Sequence, residues 1–449
     1  MLNLKEKLRE IGKNQFILNA AKLSSSNILL YLMPVVFTPI LSRLYCVEAY
    51  GEWGTFSAFL SIIIVAQFLG YDNILMKVDR DKLHGSILLC VLASLCMIAF
   101  VVVLFVVGYF LKIPAFADFP SVGLLLVYLI LYIGYLISYN LCNRFEHYSV
   151  LATTNVIQGL AQGLTRILMG VLAVVAVNGL ILGAVFSELI AMVIYIVVII
   201  KNQDLRGAAK SGWKEVTALA KRYKNFPLYD APSGLLSFAA FNLPLLILTN
   251  FFEKGTIGCY SMILQLLLLP MSLIGGAVGK VYYQRICSQS DAPSYLTHVT
   301  SGIVRVMTLF ATVPVFALCL GGDKLVVLFL GSQWQSAGDM AISLSLWSFA
   351  IILTQPLSSI YRFLDAQRRL IRYDILYFCV GIACIIAGCI LHEDIRFILL
   401  TYSVACLMVK IFLLFDIIRL AGVRKRVVCK ALPLWALALV CLIIRVVLW

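Results

Sequence analysis

Apolar stretches of about twenty residues, each long enough to cross a bilayer, recur along almost the whole chain between short polar breaks. About thirteen such stretches can be marked, centred near Leu32, Ile63, Ile98, Leu131, Thr165, Ile190, Ala240, Leu268, Phe310, Ile351, Ile382, Met408 and Val440. In lipid there is no water to satisfy backbone N–H and C=O groups, so a span of this kind has to be a helix. Hydrophobic residues make up 62% of the chain and charged residues 13%. A soluble domain is about half apolar and a quarter charged. The chain therefore reads as an all-α polytopic membrane protein.

The net charge of +14 suggests a nucleic-acid partner only until the charges are placed. With the N-terminus in the cytoplasm and the loops alternating sides, roughly three quarters of the 36 Lys and Arg fall on the inner side, as the positive-inside rule requires. Inner clusters lie at Lys5–Lys22, around Arg80, at Arg144, Lys201–Lys224, Lys280–Arg285, Arg362–Arg372 and Arg419–Lys430. The surplus orients the protein and touches anionic lipid; no nucleic-acid module is visible. The first twenty-two residues mix Lys, Arg and Glu with no cleavage site, so the first span serves as the insertion signal. The 13 cysteines include no CxxC pair, and the 4 histidines (His84, His147, His298, His392) are scattered. Neither a metal nor another cofactor is expected.

The longest polar interruption runs from Lys201 to Asp230 and separates six spans from seven. The expected divisions are a cytoplasmic tail at 1–22, a six-helix bundle at 23–207, a second at 208–420 and an extra span at 421–449. The segment Leu41-Ser42-Arg43-Leu44-Tyr45, followed by Gly51 and Trp53, matches Leu248-Thr249-Asn250-Phe251-Phe252, followed by Gly258 and Tyr260, at a constant offset of 207. Six spans per repeat give both halves one orientation. This predicts two bundles related by a pseudo-two-fold axis along the membrane normal, with twelve core helices and a thirteenth. Pro34 and Pro244 fall mid-span in equivalent helices and predict kinks. Asn27 and Tyr31 share a face with Pro34 and suit a cavity. The pairs Gly159/Gly163, Gly179/Gly183 and Gly275/Gly279 have GxxxG spacing and predict close helix contacts.

Ionisable groups inside a span are expensive and mark functional positions by default. Arg166 lies mid-way along the fifth span, and Asn155, Gln158 and Gln162 share its helical face. Glu188 lies in the sixth. With the intervening turn near Val177–Asn178, both sit roughly 16 Å below it at about 1.5 Å per residue. A salt bridge between them is one expectation. In a second, the arginine binds an anion with its spare donors, and in a third Glu188 takes up a proton. Lys410, deep in the twelfth span, faces a cavity or snorkels; Arg305 snorkels, and Arg445 reaches the outer interface. Tyr128, Tyr132, Tyr135 and Tyr139 form a stripe along the fourth span. It suits either stacking against sugar rings or an aromatic seam between helices. Gln265 and Gln355 add neutral polar groups. No nucleophile elbow, Walker loop or paired catalytic carboxylates are present, so the chain is not expected to be an enzyme.

Four segments then share a resemblance: Pro39-Ile40-Leu41-Ser42-Arg43-Leu44-Tyr45 with Tyr50-Gly51, Tyr223-Lys224-Asn225-Phe226-Pro227, Gly258-Cys259-Tyr260-Ser261 with Pro270, and Gly331-Ser332-Gln333-Trp334. Over about Ser24 to Leu420 the chain resembles the bacterial polysaccharide (Wzx-type, O-antigen) flippases of the multidrug/oligosaccharidyl-lipid/polysaccharide exporter superfamily. The resemblance implies alternating access in the inner membrane. It implies a polyprenyl-diphosphate-linked oligosaccharide moved from the cytoplasmic to the periplasmic leaflet, with membrane lipids and polysaccharide polymerase machinery as partners. A cationic cavity for the diphosphate is implied too, but no binding residue carries over by motif, so Arg166 and Lys410 rest on the residue reading alone. The competing readings are a cation-coupled multidrug exporter of the same superfamily, and a membrane glycosyltransferase or polymerase, which the short outer loops disfavour.

Overall fold

The computed structural model of the protein describes residues 15–172, 179–202, 212–271, 275–288, 293–364, 366–423 and most of 433–445. Among them there is no strand. In chain order the main helices are α1 (Gln15–Leu44), α2 (Val47–Gln67), α3 (Leu83–Phe110), α4 (Val122–Arg144), α5 (Tyr148–Leu172), α6 (Gly179–Lys201), α7 (Trp213–Arg222), α8 (Ala231–Leu248) and α9 (Lys254–Pro270). There follow α10 (Gly276–Ser288), α11 (Pro293–Leu330), α12 (Gln335–Ser343), α13 (Ser345–Thr354), α14 (Gln367–Ile390) and α15 (Ile395–Leu420). A last apolar helix, α16, covers Trp435–Arg445. Among the described residues seven helices are long and apolar enough to cross a membrane, and nine if each of two bent pairs counts as one span. The protein is thus all-α and multi-pass. Much of the segment expected as a thirteenth span, with residues 424–432 before it, lies outside the described residues.

The chain forms two compact units, one comprising residues 1–45 and 52–242, the other 46–51 and 243–449. In the first, α5 packs on α1 through its glycines. A Cβ added at Gly159 would touch Met33 and Leu30 at 3.1 Å, and one at Gly163 would run into the Phe37 ring. The GxxxG spacing therefore makes room for the side chains of α1 against α5, the close helix contact expected. Polar groups confined in the bundle are satisfied locally. Gln67, fully buried, donates to Ser94 Oγ at 2.8 Å and to the Leu129 carbonyl at 2.7 Å. The irregular 3-10 stretch Tyr71–Met76 follows. The Arg144 guanidinium crosses to it and donates to the carbonyls of Leu75 (2.6 Å) and Val78 (2.7 Å). Acceptors that have left the regular helical ladder are thereby paired.

The lead-in Tyr223–Pro227 has its own anchorage in this unit. A Cβ added at Gly70, which has φ +76°, would lie 3.2 Å from Phe226 Cβ. Lys77 Nζ sits 4.9 Å from the centre of the Phe226 ring. Amphipathic α7 buries Val216 and Leu219 in the same core and leaves Trp213 and its lysines exposed. That is the pattern of a helix lying at the membrane interface.

In the second unit, the chain from Ser332 to Phe363 bends by 53° at Leu344. Nearly every side chain of its middle, from Ala341 to Thr354, is buried. A helix apolar all round belongs inside a bundle, and this one does. Helix α15 starts at Asp394, whose carboxylate accepts the Arg396 N–H at 2.8 Å, an N-cap of the usual kind. Pro34 lies inside α1 and Pro244 inside α8; the stretch from Phe226 to Leu248 bends by 51° about Ser237, ahead of Pro244. The glycines Gly275 and Gly279 approach Gln355 and Pro356.

Also in this unit, Gly51 and Gly258, the pair at offset 207, face one another. A Cβ on Gly51 would collide with the Lys254 carbonyl, and one on Gly258 with the Val47 carbonyl. Lys254 and Val47 are themselves 207 apart, so the two collisions are images of each other. Ser261 Oγ closes the contact by donating to the Tyr50 carbonyl at 3.0 Å. Gly51→Ala and Gly258→Ala are each expected to lower the detergent-solubilised melting temperature or abolish membrane accumulation. Gly302→Ala, with nothing within 4 Å of the added methyl, is expected to be neutral or to stabilise by up to about 1 kcal/mol. Equal melting curves for all three would remove the close-approach account.

Candidate functional site

The polar face of α5 meets α6, and the two helices share out the expected site residues. Glu188, 3% exposed, accepts at Oε2 from Gln158 Nε2 (2.9 Å) and from the Tyr128 hydroxyl (3.2 Å). Its other oxygen, Oε1, is buried and has no hydrogen-bond partner among the described residues. Arg166 does not pair with it. Instead Arg166 Nε donates to the Leu180 carbonyl at 3.0 Å, and the guanidinium lies over the Trp53 ring, 4.3 Å from its centre. The Tyr45 hydroxyl donates to the Arg166 carbonyl at 2.7 Å.

This corrects the expected salt bridge, and the reason is register. Contacts along the hairpin join Met169 to Gly179, Arg166 to Gly183 and Gln158 to Glu188. The two helices are therefore offset from the arrangement that a turn centred at Val177–Asn178 would give, by about two turns along α6. Gly183 makes the observed register possible, because a Cβ there would occupy the place of Arg166 Cγ. Asn155 is buried and Gln162 half-buried on the same face of α5.

The tyrosine stripe of α4 is a ladder. Successive rings of Tyr128, Tyr132, Tyr135 and Tyr139 lie 6.3, 5.7 and 6.1 Å apart, at interplanar angles of 19°, 30° and 25°. Tyr195 of α6 joins Tyr135 and Tyr139 from the side, and Phe68 joins Tyr132. Ring faces used against one another are not open to a sugar, so the geometry favours the aromatic seam over stacking on a glycan. The ladder and Glu188 nonetheless belong together, since Tyr128 ends on the carboxylate.

The second unit holds the other buried cation. Lys410 Nζ lies 3.8 Å from Asp374 Oδ1 and 4.5 Å from the centre of the Tyr377 ring. Trp347 Nε1 donates to the Tyr377 hydroxyl at 2.8 Å. Lys410 is thus held by a carboxylate and a ring, and its side chain is 15% exposed while that of Asp374 is 49% exposed. Gln265 is half-buried on α9, and Gln355 is exposed. Arg305 is exposed, consistent with snorkelling. Arg445 is paired, with its Nη2 2.9 Å from Asp323 Oδ1. The side chains of Asn27 and Tyr31 lie outside the described residues. Sequence reasoning missed Trp53, Tyr45, Asp374 and Tyr377. A tight turn between the eleventh and twelfth spans was the available signal for Asp374.

The sequence matches the family described as polysaccharide biosynthesis protein over residues 40–339. The chain belongs to this family. Among curated proteins none matches it. Its fold is similar to that of the lipid II flippase MurJ in an inward closed conformation, with a TM-score of 0.67 at 14% identity over 96% of each chain. It is also similar to an inward-facing multidrug resistance MATE family transporter of the MOP superfamily, with a TM-score of 0.57 at 12% identity over 89% of this chain and 96% of the other. At these identities the likeness establishes the fold, which agrees with the resemblance carried by the Arg-Leu-Tyr and Tyr-x-x-Phe-Pro segments.

The hairpin register has a direct check. In a version with the native cysteines replaced, Gln158→Cys with Glu188→Cys is expected to cross-link with a short bifunctional thiol reagent. Arg166→Cys with Glu188→Cys is expected to remain uncross-linked. The opposite pattern would restore the equal-depth pairing of Arg166 and Glu188.

Proposed function

We propose that this protein is a flippase that carries a polyprenyl-diphosphate-linked oligosaccharide from the cytoplasmic to the periplasmic leaflet of the bacterial inner membrane by alternating access, for surface polysaccharide assembly. Family membership supports the pathway. The fold, shared with a protein titled a lipid II flippase, supports the reaction class. The single observation that carries the chemistry is Arg166, a guanidinium 9% exposed inside a span, which donates from Nε to the Leu180 carbonyl and lies over the Trp53 ring. Glu188 is turned to Gln158 and Tyr128 instead. In a medium of low dielectric such a charge attracts phosphate oxygens strongly.

Arg166 is the first candidate for the diphosphate and Lys410 the second. Lys410 has to exchange Asp374 for the substrate, which the exposure of that carboxylate allows. Asn155, Gln158, Gln162, Gln265, Asn27 and Tyr31 are the candidates for hydroxyl-rich sugars. Tyr128, Tyr132 and Tyr135 would contribute hydroxyls and edges rather than ring faces. The long prenyl chain has no need of the protein and can stay in lipid. Polymerase machinery on the outer side is the partner this reading requires.

Deleting the protein is expected to remove surface polysaccharide and leave drug sensitivity unchanged. Arg166→Ala, at unaltered membrane abundance, is expected to reproduce the loss and to trap lipid-linked repeat units in the cytoplasmic leaflet. Arg166→Lys is expected to recover only part of the export, since an ammonium has no planar fork for a diphosphate. Extracted lipid-linked glycans and surface polysaccharide are the two measurements. Full surface polysaccharide in Arg166→Ala would end the role assigned to that residue, and drug sensitivity with intact polysaccharide after deletion would end the flippase reading.

A further inference from the structure

The two neighbours of Lys410 hold it unequally. The Tyr377 ring, 4.5 Å from Nζ, is itself fixed: Tyr377 is buried, and its hydroxyl accepts from Trp347 Nε1 at 2.8 Å. Asp374 Oδ1 stands 3.8 Å from Nζ. A charge-assisted hydrogen bond between an ammonium and a carboxylate is about 2.7–2.9 Å long, so this contact is an ion pair without one. The Asp374 carboxylate accepts no hydrogen bond among the described residues. Its side chain is 49% exposed, against 15% for that of Lys410. The cation is seated and the anion is loose.

A second ion pair on the same two helices has the opposite balance. Asp416 of α15 accepts at Oδ2 from the Tyr361 hydroxyl (2.8 Å), and its Oδ1 lies 3.5 Å from Nη1 of Arg369 of α14. Here the carboxylate is the covered member, 15% exposed, and the cation is 51% exposed. A neutral donor anchors Asp416 in addition to the cation. Asp374 has no such anchor, so little besides the charge of Lys410 keeps it in place.

An ammonium seated on a ring, with an unanchored carboxylate before it, is an oxyanion site that already contains an oxyanion. Nζ carries three donors, and at 3.8 Å Asp374 takes none of them in a full hydrogen bond. A phosphate brings more charge and more acceptor oxygens than one carboxylate. We propose that Asp374 is a resident competitor for the diphosphate at Lys410. It occupies the site in the absence of substrate, yields it to the incoming anion, and reclaims the ammonium as the anion leaves. Such a competitor weakens apparent affinity by the fraction of time that the site stands open. The identity of the anion rests on the flippase reading; competition at Lys410 is measurable without it.

The test is calorimetric binding of inorganic pyrophosphate, and of farnesyl diphosphate in micelles, to the purified full-length protein. Asp374→Asn is expected to bind both about tenfold more tightly, the factor for a site left open about a tenth of the time. Adding Lys410→Gln is expected to remove the gain. Asp416→Asn is expected to bring none, which separates competition at Lys410 from a general change in charge. Asp374→Glu, whose longer side chain reaches Nζ more closely, is expected to bind more weakly than the unaltered protein. A merely structural ion pair would give no such opposite responses. In cells, Asp374→Asn at unaltered membrane abundance is expected to lower surface polysaccharide, because the anion leaves Lys410 more slowly.

The proposal is overturned if Asp374→Asn binds no more tightly, if the gain survives Lys410→Gln, or if Asp416→Asn gives an equal gain. Should Asp374→Asn fail to accumulate, equal or tighter binding by Asp374→Glu overturns it. Tightening confined to pyrophosphate overturns the lipid-linked occupant. Surface polysaccharide that survives deletion of the whole protein would instead overturn the flippase reading, and leaves the binding series to decide on the competitor.

Discussion

Inside a bilayer a polar group finds its partner within the protein or goes without. That constraint sets most of what is specific about this molecule. Gln67 is spent on tying α2 to Ser94 of α3 and to the backbone of α4. Arg144 is spent on two carbonyls of an irregular stretch, and the stretch can be irregular because a guanidinium reaches both acceptors at once. The apolar residues supply the mass of the helices but say little about which neighbour each one has. In lipid they carry little preference for one another over the solvent, so close approach at glycine and pairing of polar groups fix the contacts.

The same constraint treats the two buried cations differently. Lys410 is held by a carboxylate, so its charge is largely neutralised where it stands. Arg166 donates to a carbonyl and lies over an indole ring, both of which orient a guanidinium. Stacking on an aromatic face is a capacity of Arg that Lys shares only in part. A planar cation oriented in this way presents its donor fork in a fixed plane.

The helical nature of the chain, its multi-pass character and its family could be read from apolar runs, loop charges and a few short segments. The site was legible in part, and two hairpins show why. Asp374 and Lys410 are almost equidistant from the short turn between α14 and α15, so counting residues back from the loop would have paired them. Counting from Val177–Asn178 failed for Arg166 because the helix contact is centred elsewhere: Arg166 meets Gly183 and Gln158 meets Glu188. Spacing along one helix also said nothing of Trp53, which comes from a helix far away in sequence. The tyrosine stripe was correct as a face; ring orientation, which decides between a seam and a sugar platform, is invisible in periodicity.

Gly183 has a consequence for the history of this site. The Arg166 side chain passes through the volume where any other residue would carry its Cβ. A lineage could not acquire the arginine in this conformation before it had the glycine, and once both were present the glycine could not be exchanged while the arginine kept this conformation. The dependence runs one way, from the arginine to the glycine. A relative with alanine or serine at the position of Gly183 has lost the seat of the charge, whether or not its arginine is still written in the sequence.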